Sequence, residues 1–363
     1  MNSERAPPGL PICRLPLTLY LHAVPDASTS PNVLAVRFSS IGDILLTTPL
    51  LRAIRHRHPG ARITALTKQA YLPLLSHNPH LDRVIGLEPS RSLTSLAAEL
   101  RAEPHSHRLD LHGSLRARVL RALVPGRWSG YPKHRVARAL LIHGKRNQYR
   151  DHRPVPERYF SAAQGLDVTP DHGPPEFFLG PDAEQQTADW LEAAGFASKR
   201  PMIAVAPGAA HATKRWPLEH WQNLVEQIVS DGFDVVVVGG SDDAHLGTVL
   251  ANRVGGRVAS AAGVFGLQGT GAVLRRAAAL VSGDTGVMHM ATGVGTPVVA
   301  LFGPTVEAFG FFPYSQRARV VELALSCRPC SSQGGSRCPL AHHRCLRDLQ
   351  PEVVYDALRG SVP

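Results

Sequence analysis

The stretch Ala277-Ala-Ala-Leu-Val-Ser-Gly-Asp-Thr-Gly-Val-Met-His289 joins an apolar run to a glycine-containing turn and a helical pattern. Residues 277–282 have the composition of a buried strand, and residues 287–293 have that of a helix. A strand that passes through such a turn into a helix leaves backbone N–H groups without intrahelical partners, and these groups can hold a phosphate. The stretch therefore predicts an α/β fold that binds a nucleotide or a nucleotide-sugar at this turn.

A second turn of the same kind lies earlier in the chain. The apolar run 202–206 is followed by Pro207 and Gly208, and Lys214-Arg-Trp-Pro217 then opens a helical pattern. Two turns that can accept a phosphate in the same half of the chain strengthen the prediction of a phosphorylated ligand.

Strand patterns and helical patterns alternate along the whole chain, as a parallel sheet with crossover helices requires. The strand patterns lie at 33–38, 62–67, 83–87, 109–111, 202–206, 235–239, 280–282 and 297–302. The helical patterns lie at 44–58, 92–101, 114–123, 136–143, 182–194, 217–230, 243–254, 287–293 and 351–358. We therefore predict two doubly wound, Rossmann-like domains whose strand ends face one ligand-binding cleft.

The length of 363 residues, of which 44% are apolar, is enough for two hydrophobic cores. Prolines and glycines cluster after residue 166 and mark the boundary between them. The predicted order is a leader or flexible tail at 1–31, an acceptor-binding domain at 32–168, a linker at 169–181 and a nucleotide-sugar-binding domain at 182–350. Residues 351–363 are predicted to form a helix that returns to the first domain.

The positive charge is concentrated in the first half of the chain. Up to Gly180 there are 24 Lys and Arg against 13 Asp and Glu, and beyond it 15 against 16. Between residues 101 and 150, twelve cations face only Glu103 and Asp110. Nucleic acid, an anionic membrane surface or a phosphorylated glycolipid would all suit this field. The helices of this region lack the interleaved aromatic residues that stack on bases, so nucleic acid is disfavoured.

No run of about 18 apolar residues exists that could span a bilayer. Residues 11–24 are apolar only in part and contain Arg14, His22 and two prolines, without a small-residue cleavage site. We therefore expect the protein in the cytoplasm, with peripheral contact at the cytoplasmic face of the inner membrane left open.

The segment Ser39-Ser-Ile-Gly-Asp43 lies between the first strand pattern and the first helical pattern. An aspartate at the start of a helix is commonly no more than a cap. A carboxylate at the end of a strand that faces a nucleotide-binding domain can also take a proton from an acceptor hydroxyl. Both interpretations of Asp43 are open from these residues alone.

Four cysteines lie within nineteen residues near the end of the chain, beside His342 and His343. They are Cys327, Cys330, Cys338 and Cys345. In a reducing compartment this spacing suggests a structural Zn or Fe site. Reduced thiols are an equal alternative, and disulfides are less favoured than either. A catalytic cysteine is least favoured, since no activated Cys–His arrangement is evident.

Several segments in register resemble glycosyltransferase family 9, the ADP-heptose:lipopolysaccharide heptosyltransferases. They are Arg37-Phe-Ser-Ser-Ile-Gly-Asp-Ile-Leu-Leu-Thr-Thr-Pro-Leu-Leu51, Asp110-Leu-His-Gly-Ser114, Pro207-Gly-Ala209, Lys214-Arg-Trp-Pro-Leu-Glu-His-Trp221, Asp284-Thr-Gly-Val-Met-His289 and Gly303-Pro-Thr305. The resemblance covers residues 33–358, and residues 207–217 look closest to heptosyltransferase II. It implies a GT-B architecture and the metal-independent, inverting transfer of a heptose from ADP-heptose to the lipopolysaccharide inner core.

The resemblance also implies roles for particular residues. Asp43 would be the general base. The donor would be bound by Lys214, Asp284, Thr285, Gly286, His289, Gly208, Thr213 and Asp242. The acceptor would be bound by Ser40, Gly42 and His112. Arg116 and Arg118 are assigned to the same acceptor from the charge pattern, because they belong to the arginine-rich segment 101–150. Ala209 and Ala210 stand where heptosyltransferase I has two threonines, so contacts to donor hydroxyls would have to come from His211, Thr213 or the backbone, and Asp243 is an alternative to Asp242.

Other functions fit the same features. A GT-B glycosyltransferase that uses another nucleotide-sugar, or a nucleotide-sugar epimerase, would need the same phosphate turns. A basic nucleic-acid-binding protein would use the patch at 101–150 and is the least favoured. No cofactor is required for transfer in the preferred interpretation, and the expected partners are ADP-heptose and the lipopolysaccharide core.

Overall fold

The computed structural model describes residues 30–196 and 200–362. From Pro31 onward the chain forms one compact unit, which contains two β-sheets. The predicted leader at 1–31 falls outside the described residues, apart from Ser30 and Pro31. No helix in the described part of the chain is both long enough and apolar enough to cross a membrane.

The first sheet has five parallel strands in the order β3-β2-β1-β4-β5. They are β1 (Asn32–Val36), β2 (Arg62–Lys68), β3 (Arg83–Leu87), β4 (His107–Asp110) and β5 (Trp128–Gly130). Side chains of the central strand β1 alternate between two buried clusters, with Val33 in one and Leu34 in the other. Both faces of the sheet are therefore covered, as expected for a parallel sheet between helices.

Six helices accompany the first sheet. They are α1 (Ile41–Leu45), α2 (Thr48–Arg57), α3 (Leu93–Ala102), α4 (Leu115–Leu123), α5 (Arg135–Gly144) and α6 (Val155–Arg158). The predicted helix at 44–58 is in fact two helices, because Pro49 lacks an N–H donor and occupies the first turn of α2. The hydroxyls of Ser92 and Ser114 cap α3 and α4 by accepting backbone N–H groups.

The second sheet has six parallel strands in the order β8-β7-β6-β9-β10-β11. They are β6 (Met202–Ala206), β7 (Asp234–Val237), β8 (Val258–Ser260), β9 (Ala279–Gly283), β10 (Val298–Phe302) and β11 (Ala318–Glu322). The four central strands are buried throughout and have the apolar runs predicted from the sequence. The edge strands β8 and β11 were not predicted, because their short sequences mix polar and apolar residues.

The second sheet is flanked by seven helices. They are α7 (Pro181–Ala193), α8 (Leu218–Ser230), α9 (Ala244–Val254), α10 (Leu267–Arg276), α11 (Gly286–Gly293), α12 (Arg344–Arg347) and α13 (Pro351–Arg359). The prediction that the last helix returns to the first domain is wrong. Val354, Tyr355 and Leu358 of α13 are buried in the same core as Trp221 of α8, and the hydroxyl of Tyr355 donates to Asp231. The apolar face of α13 therefore stays with the second sheet.

Each sheet changes its direction of winding beside its first strand, between β1 and β4 and between β6 and β9. Ligands of doubly wound folds bind at the carboxyl ends of such strand pairs. Asp43 follows β1 and Asp284 follows β9, so both lie at these points. The linker is tied to both halves, since the N–H of Glu176 donates to Thr48 Oγ1 and the N–H of Phe177 donates to the carbonyl of Gly293. The predicted pair of doubly wound parallel sheets is confirmed.

Candidate active site

A cavity of about 550 Å³ lies between the two halves, at the carboxyl ends of the strands. From the first half it is lined by Arg37, Ser40, Gly42, Asp43, Tyr131, Lys133, Arg138 and Arg158. From the second half it is lined by Ala209, Ala210, His211, Lys214, Asp284, Thr285, Gly286, His289, Ser332 and Gln333. Five of these side chains carry a positive charge and two carry a negative charge, so the cavity suits an anionic ligand.

The helices α1 and α11 meet at the floor of this cavity. A Cβ atom on Gly42 would lie 2.3 Å from Cδ2 of His289, and a Cβ atom on Gly286 would lie 2.8 Å from Cβ of Ile41. Neither distance is tolerable for a real side chain, so both glycines are required for the close approach of the helices. The contact brings Asp43 of one half next to the Asp284 turn of the other.

The carboxylate of Asp43 is held by two neighbours. Its Oδ1 lies 2.5 Å from a guanidinium nitrogen of Arg37, and its Oδ2 accepts from the N–H of Ser40 at 3.2 Å and from the hydroxyl of Ser40 at 2.9 Å. Burial alone would raise the pKa of Asp43, but Arg37 and the Ser40 hydrogen bonds outweigh burial and hold the pKa below its usual value. Asp43 is therefore ionised at neutral pH and is able to accept a proton.

Arg37 is fixed as firmly as its partner. It donates to the carbonyls of Ser39 at 2.8 Å and Leu111 at 2.6 Å, and the hydroxyl of Tyr131 lies 3.5 Å away. These contacts orient the guanidinium toward Asp43. Arg37 belongs to the first family motif, but no pattern in the motif indicated a role for it at the site.

On the opposite wall, Lys214 pairs with Asp284. The ammonium of Lys214 lies 2.6 Å from Oδ2 of Asp284 and donates to the backbone carbonyl of Asp284 at 3.1 Å. The hydroxyl of Thr305 donates to the same carboxylate oxygen at 2.7 Å. Asp284 therefore positions Lys214 beside the start of α11, where N–H groups of the first turn have no intrahelical partner.

His289 is almost completely buried under Gly42, although one edge reaches the cavity. Burial lowers its pKa to about 4, so the ring is neutral at physiological pH. Its Nδ1 atom is buried without a hydrogen-bond partner in the described part of the chain. These contacts fit a residue that packs the two helix starts together and presents one edge to the ligand.

Lys133 is a cation of the cavity that the sequence analysis did not single out. Its ammonium donates to the backbone carbonyl of His112, and within residues 30–196 and 200–362 it has no carboxylate partner. Burial, followed by the proximity of Arg37 and Arg135, lowers the pKa of Lys133 to about 8. Lys133 is half-buried and charged at neutral pH, so it can bind an anionic group.

His112 lies behind this lysine and does not line the cavity. Its Nδ1 accepts the N–H of Phe38 at 3.1 Å, which ties the loop after β4 to the end of β1. Burial, with Arg37 and Lys133 nearby, lowers the pKa of His112 to about 4. A neutral, hydrogen-bonded His112 supports Lys133 from outside the cavity lining.

Two further arginines line the cavity from the first half. Arg158 is buried and donates to the carbonyls of Ala308 and Phe309, so it joins the two halves of the protein. The guanidinium of Arg138 stacks over the ring of Phe309 at 5.3 Å, and its Nε atom is buried without a hydrogen-bond partner in the described chain. Arg158 makes three side-chain hydrogen bonds with its five N–H donors, whereas Arg138 makes none within the described residues, so Arg138 has the larger donor capacity left for a ligand.

Arg116 and Arg118, which the charge pattern suggested as acceptor ligands, do not line the cavity. Both are exposed on α4, and Arg116 lies 5.9 Å from the ring of Phe38. The helical spacing of these arginines was correctly predicted, but their side chains lie on an outer surface of the first half.

Three of the suggested donor ligands also lie outside the cavity lining: Gly208, Asp242 and Thr213. A Cβ atom on Gly208 would lie 1.9 Å from Oδ1 of Asp243, so Gly208 makes room for that aspartate. Asp243 in turn accepts the N–H of Gly240 and caps the turn before α9. Asp242 is exposed, and its backbone carbonyl lies 3.1 Å from Nδ1 of His245.

The cysteine-rich loop at 327–345 forms a wall of the donor side. Thr213 does not face the cavity, because its N–H donates to the carbonyl of Gly335 at 3.1 Å and its hydroxyl accepts the N–H of Gly335 at 2.9 Å. These bonds hold the loop against the turn that carries Lys214. As a result, Ser332 and Gln333 line the same cavity as Lys214.

The four cysteines of this loop are free thiols. Burial raises the pKa of Cys330, with Cys338 and Cys327 adding to the effect, and burial raises the pKa of Cys345 to about 11. Within residues 30–196 and 200–362, no group of three or more His, Cys, Asp or Glu side chains is arranged to hold a metal ion. The suggested structural Zn or Fe site is therefore not supported by the arrangement of these side chains.

Comparison with known proteins agrees with this geometry. The sequence model described as glycosyltransferase family 9 (heptosyltransferase) matches residues 93–340. The chain belongs to glycosyltransferase family 9. The match covers more than half of the chain and includes the Lys214 and Asp284 turns.

Similar family members extend over nearly the whole chain. Lipopolysaccharide heptosyltransferase 2 of Escherichia coli K12 is 28% identical over 351 residues, which cover 91% of this chain and 98% of that protein. Lipooligosaccharide heptosyltransferase 2 of Haemophilus influenzae is 25% identical over 351 residues, which cover 90% and 98%. The solved structure of E. coli ADP-heptose LPS heptosyltransferase II is 25% identical with a TM-score of 0.70, covering 91% of this chain and 98% of that one. These matches confirm the predicted family and the GT-B fold.

Proposed function

We propose that this protein is an inverting, metal-independent heptosyltransferase that moves a heptose from ADP-heptose to the inner core of lipopolysaccharide. The observation that carries the proposal is the single cavity that holds Asp43 on one wall and the Lys214–Asp284 pair on the other. The family match and the names of its relatives support this donor and this acceptor.

The second half would bind the donor. The diphosphate of ADP-heptose would lie at the start of α11, where Thr285 and Gly286 contribute N–H groups and Lys214 contributes a positive charge. Lys214 is already oriented by Asp284, so little reorganisation is needed as negative charge develops on the departing ADP. These groups would do the work that a divalent cation does in other glycosyltransferases.

Ser332 and Gln333 would add the polar donor contacts that Ala209 and Ala210 cannot make. Thr213 would act as a positioning residue, because it holds the loop of Ser332 and Gln333 in place through Gly335. The cysteine loop would then serve donor binding without a metal.

Asp43 would act as the general base. The acceptor oxygen attacks the anomeric carbon of the heptose while the bond from that carbon to the ADP oxygen breaks, and ADP leaves with the electron pair. The proton of the acceptor hydroxyl passes to the carboxylate of Asp43, which Arg37 and Ser40 hold at the cavity surface. Attack from the face opposite to ADP inverts the anomeric configuration in one step.

The acceptor would be bound by the first half. Ser40 and Gly42 line the cavity next to Asp43, and Lys133 and Arg138 lie on the same side with donor capacity for a phosphate or a carboxylate. We propose these two cations in place of Arg116 and Arg118 as the residues that recognise the charged groups of the inner core. The site of action would be the cytoplasmic face of the inner membrane, where a lipid-linked acceptor is available.

The test is transfer to a defined acceptor. Purified protein is incubated with ADP-heptose and a series of truncated lipopolysaccharides, and the product is analysed by mass spectrometry and by the configuration of its new anomeric carbon. One added heptosyl residue of inverted configuration is expected, together with loss of transfer in Asp43→Asn by a factor of about 10²–10⁴ and unchanged ADP affinity. Transfer from a different nucleotide-sugar, with none from ADP-heptose, would contradict the proposed donor.

A further inference from the structure

Two neighbouring helices of the first half expose apolar side chains to solvent. Leu115 and Val119 of α4 are 77% and 41% exposed, and Val136 and Leu140 of α5 are 75% and 38% exposed. Each pair has i,i+4 spacing and so lies on one face of its helix. Leu115 and Val136 have the highest exposed fractions among the large hydrophobic side chains of the described residues.

The two helices are joined at their starts. The guanidinium of Arg135 donates to the carbonyl of Gly113 at 3.2 Å, one residue before the Ser114 cap of α4. This bond ties the start of α5 to the residues that precede α4, so Leu115 and Val136 lie on either side of one junction. We call the four exposed apolar residues of the two helices the α4/α5 face. This face lies next to the acceptor side of the cavity, because Arg138 of α5 lines that cavity.

The α4/α5 face is surrounded by unpaired positive charge. Arg116, Arg118 and Arg135 are exposed, and within residues 30–196 and 200–362 none of them pairs with a carboxylate. No Asp or Glu occurs between residues 111 and 150. Exposed apolar side chains ringed by arginines have the composition of a surface that docks on anionic lipid.

We propose that the α4/α5 face binds an anionic lipid membrane, with the apolar side chains in the headgroup region and the arginines on the lipid phosphates. A second copy of the chain suits this face poorly, because a symmetric contact would bring like charges together. The inference rests on the proposed function in one respect: an acceptor anchored in the membrane would then reach the cavity beside Lys133 and Arg138.

The experiment is co-sedimentation of the full chain with lipid vesicles in the absence of substrates. Vesicles of phosphatidylethanolamine and phosphatidylglycerol should bind the protein, vesicles of phosphatidylcholine should bind it weakly, and added salt should reduce binding. The double variant Arg116→Gln with Arg118→Gln should have a partition coefficient on anionic vesicles that is about thirtyfold lower, because each arginine contributes a factor of about five. Leu115→Ser with Val136→Ser should lower it about tenfold, from the loss of apolar burial.

Matched controls come from exposed residues elsewhere in the chain. Val264 and Val353 are 50% and 51% exposed, so Val264→Ser with Val353→Ser controls for the apolar pair, and Arg337→Gln with Arg359→Gln controls for the charge. Equal losses in test and control variants would overturn the proposal, as would failure of the wild-type chain to bind anionic vesicles. A concentration-dependent dimer abolished by Leu115→Ser with Val136→Ser would identify the face as a contact between copies. Since no substrate is present, failure of heptose transfer would leave this test intact, and failure of vesicle binding would leave the transfer assay intact.

Discussion

Replacing Arg37 by glutamine should move the acidic limb of the pH–rate profile to higher pH. In the native protein the Arg37 guanidinium lies 2.5 Å from Asp43 and holds the pKa of that carboxyl below its usual value against the effect of burial. An opposite charge at this distance shifts a carboxyl pKa by about 1–3 units, so its removal should raise the pKa of Asp43 by a similar amount. Asp43 would then be protonated, and unable to accept a proton, over about 1–3 further pH units.

The assay is the rate of ADP release as kcat/KM between pH 4 and about 9, a range that spans the usual pKa values of Asp and His. Wild-type kcat/KM should stay constant down to a pH well below the one at which kcat/KM of Arg37→Gln begins to fall. The kcat/KM of the variant should rise again as the pH approaches neutral. Arg37→Lys is the matched control, since it keeps the charge and should move the limb less. Loss of Arg37 also leaves the carbonyls of Ser39 and Leu111 without their donor, at a cost of about 1–3 kcal/mol, so thermal unfolding is measured alongside. An acidic limb at the same pH in wild type and Arg37→Gln would refute the assignment of Asp43 as the base.

The remaining predictions concern the two substrates and the effect of a chelator. Lys133→Gln should raise the KM for a soluble phosphorylated acceptor by about 10- to 100-fold, since a hydrogen bond to a charged group is lost, while the exposed Arg127→Gln should not. In the wild-type protein, the KM for the acceptor should also rise above pH 8, where Lys133 loses its proton. A change in the KM for the donor alone would assign Lys133 to the donor site instead. Lys214→Ala should weaken ADP binding, slow transfer and lower the unfolding midpoint because Asp284 loses its partner; a change in acceptor affinity alone would contradict this. A chelator should leave transfer unchanged, because the proposed transfer uses no metal; loss of transfer on chelation would contradict this.

The residues that the sequence placed in the cavity share one property. Asp43, Lys214 and Asp284 lie in the connections that follow central strands, and the topology of a doubly wound sheet brings those connections together. Their positions follow from local chain geometry, so the motifs and the pattern of strands and helices were sufficient to predict them. The alternation of strands and helices was sufficient for the architecture for the same reason.

Predictions failed where a side chain's direction depends on distant parts of the chain. Thr213 and Gly335 are 122 residues apart in the sequence, yet the hydroxyl of Thr213 accepts the N–H of Gly335 and so does not line the cavity. The spacing of Arg116 and Arg118 predicted a helix but did not show which of its faces meets the cavity. Lys133 did leave a signal, since it is one of only five lysines among 39 basic residues, as is Lys214.

The contact between Gly42 and His289 has an evolutionary consequence. The imidazole fills the space that any other residue at position 42 would need for its Cβ atom. A change from glycine at position 42 can therefore persist only with a smaller side chain at position 289, although the two residues come from opposite halves of the chain. Among relatives that keep this packing of α1 on α11, the two positions should vary as a pair, and the substitution at 289 should come first.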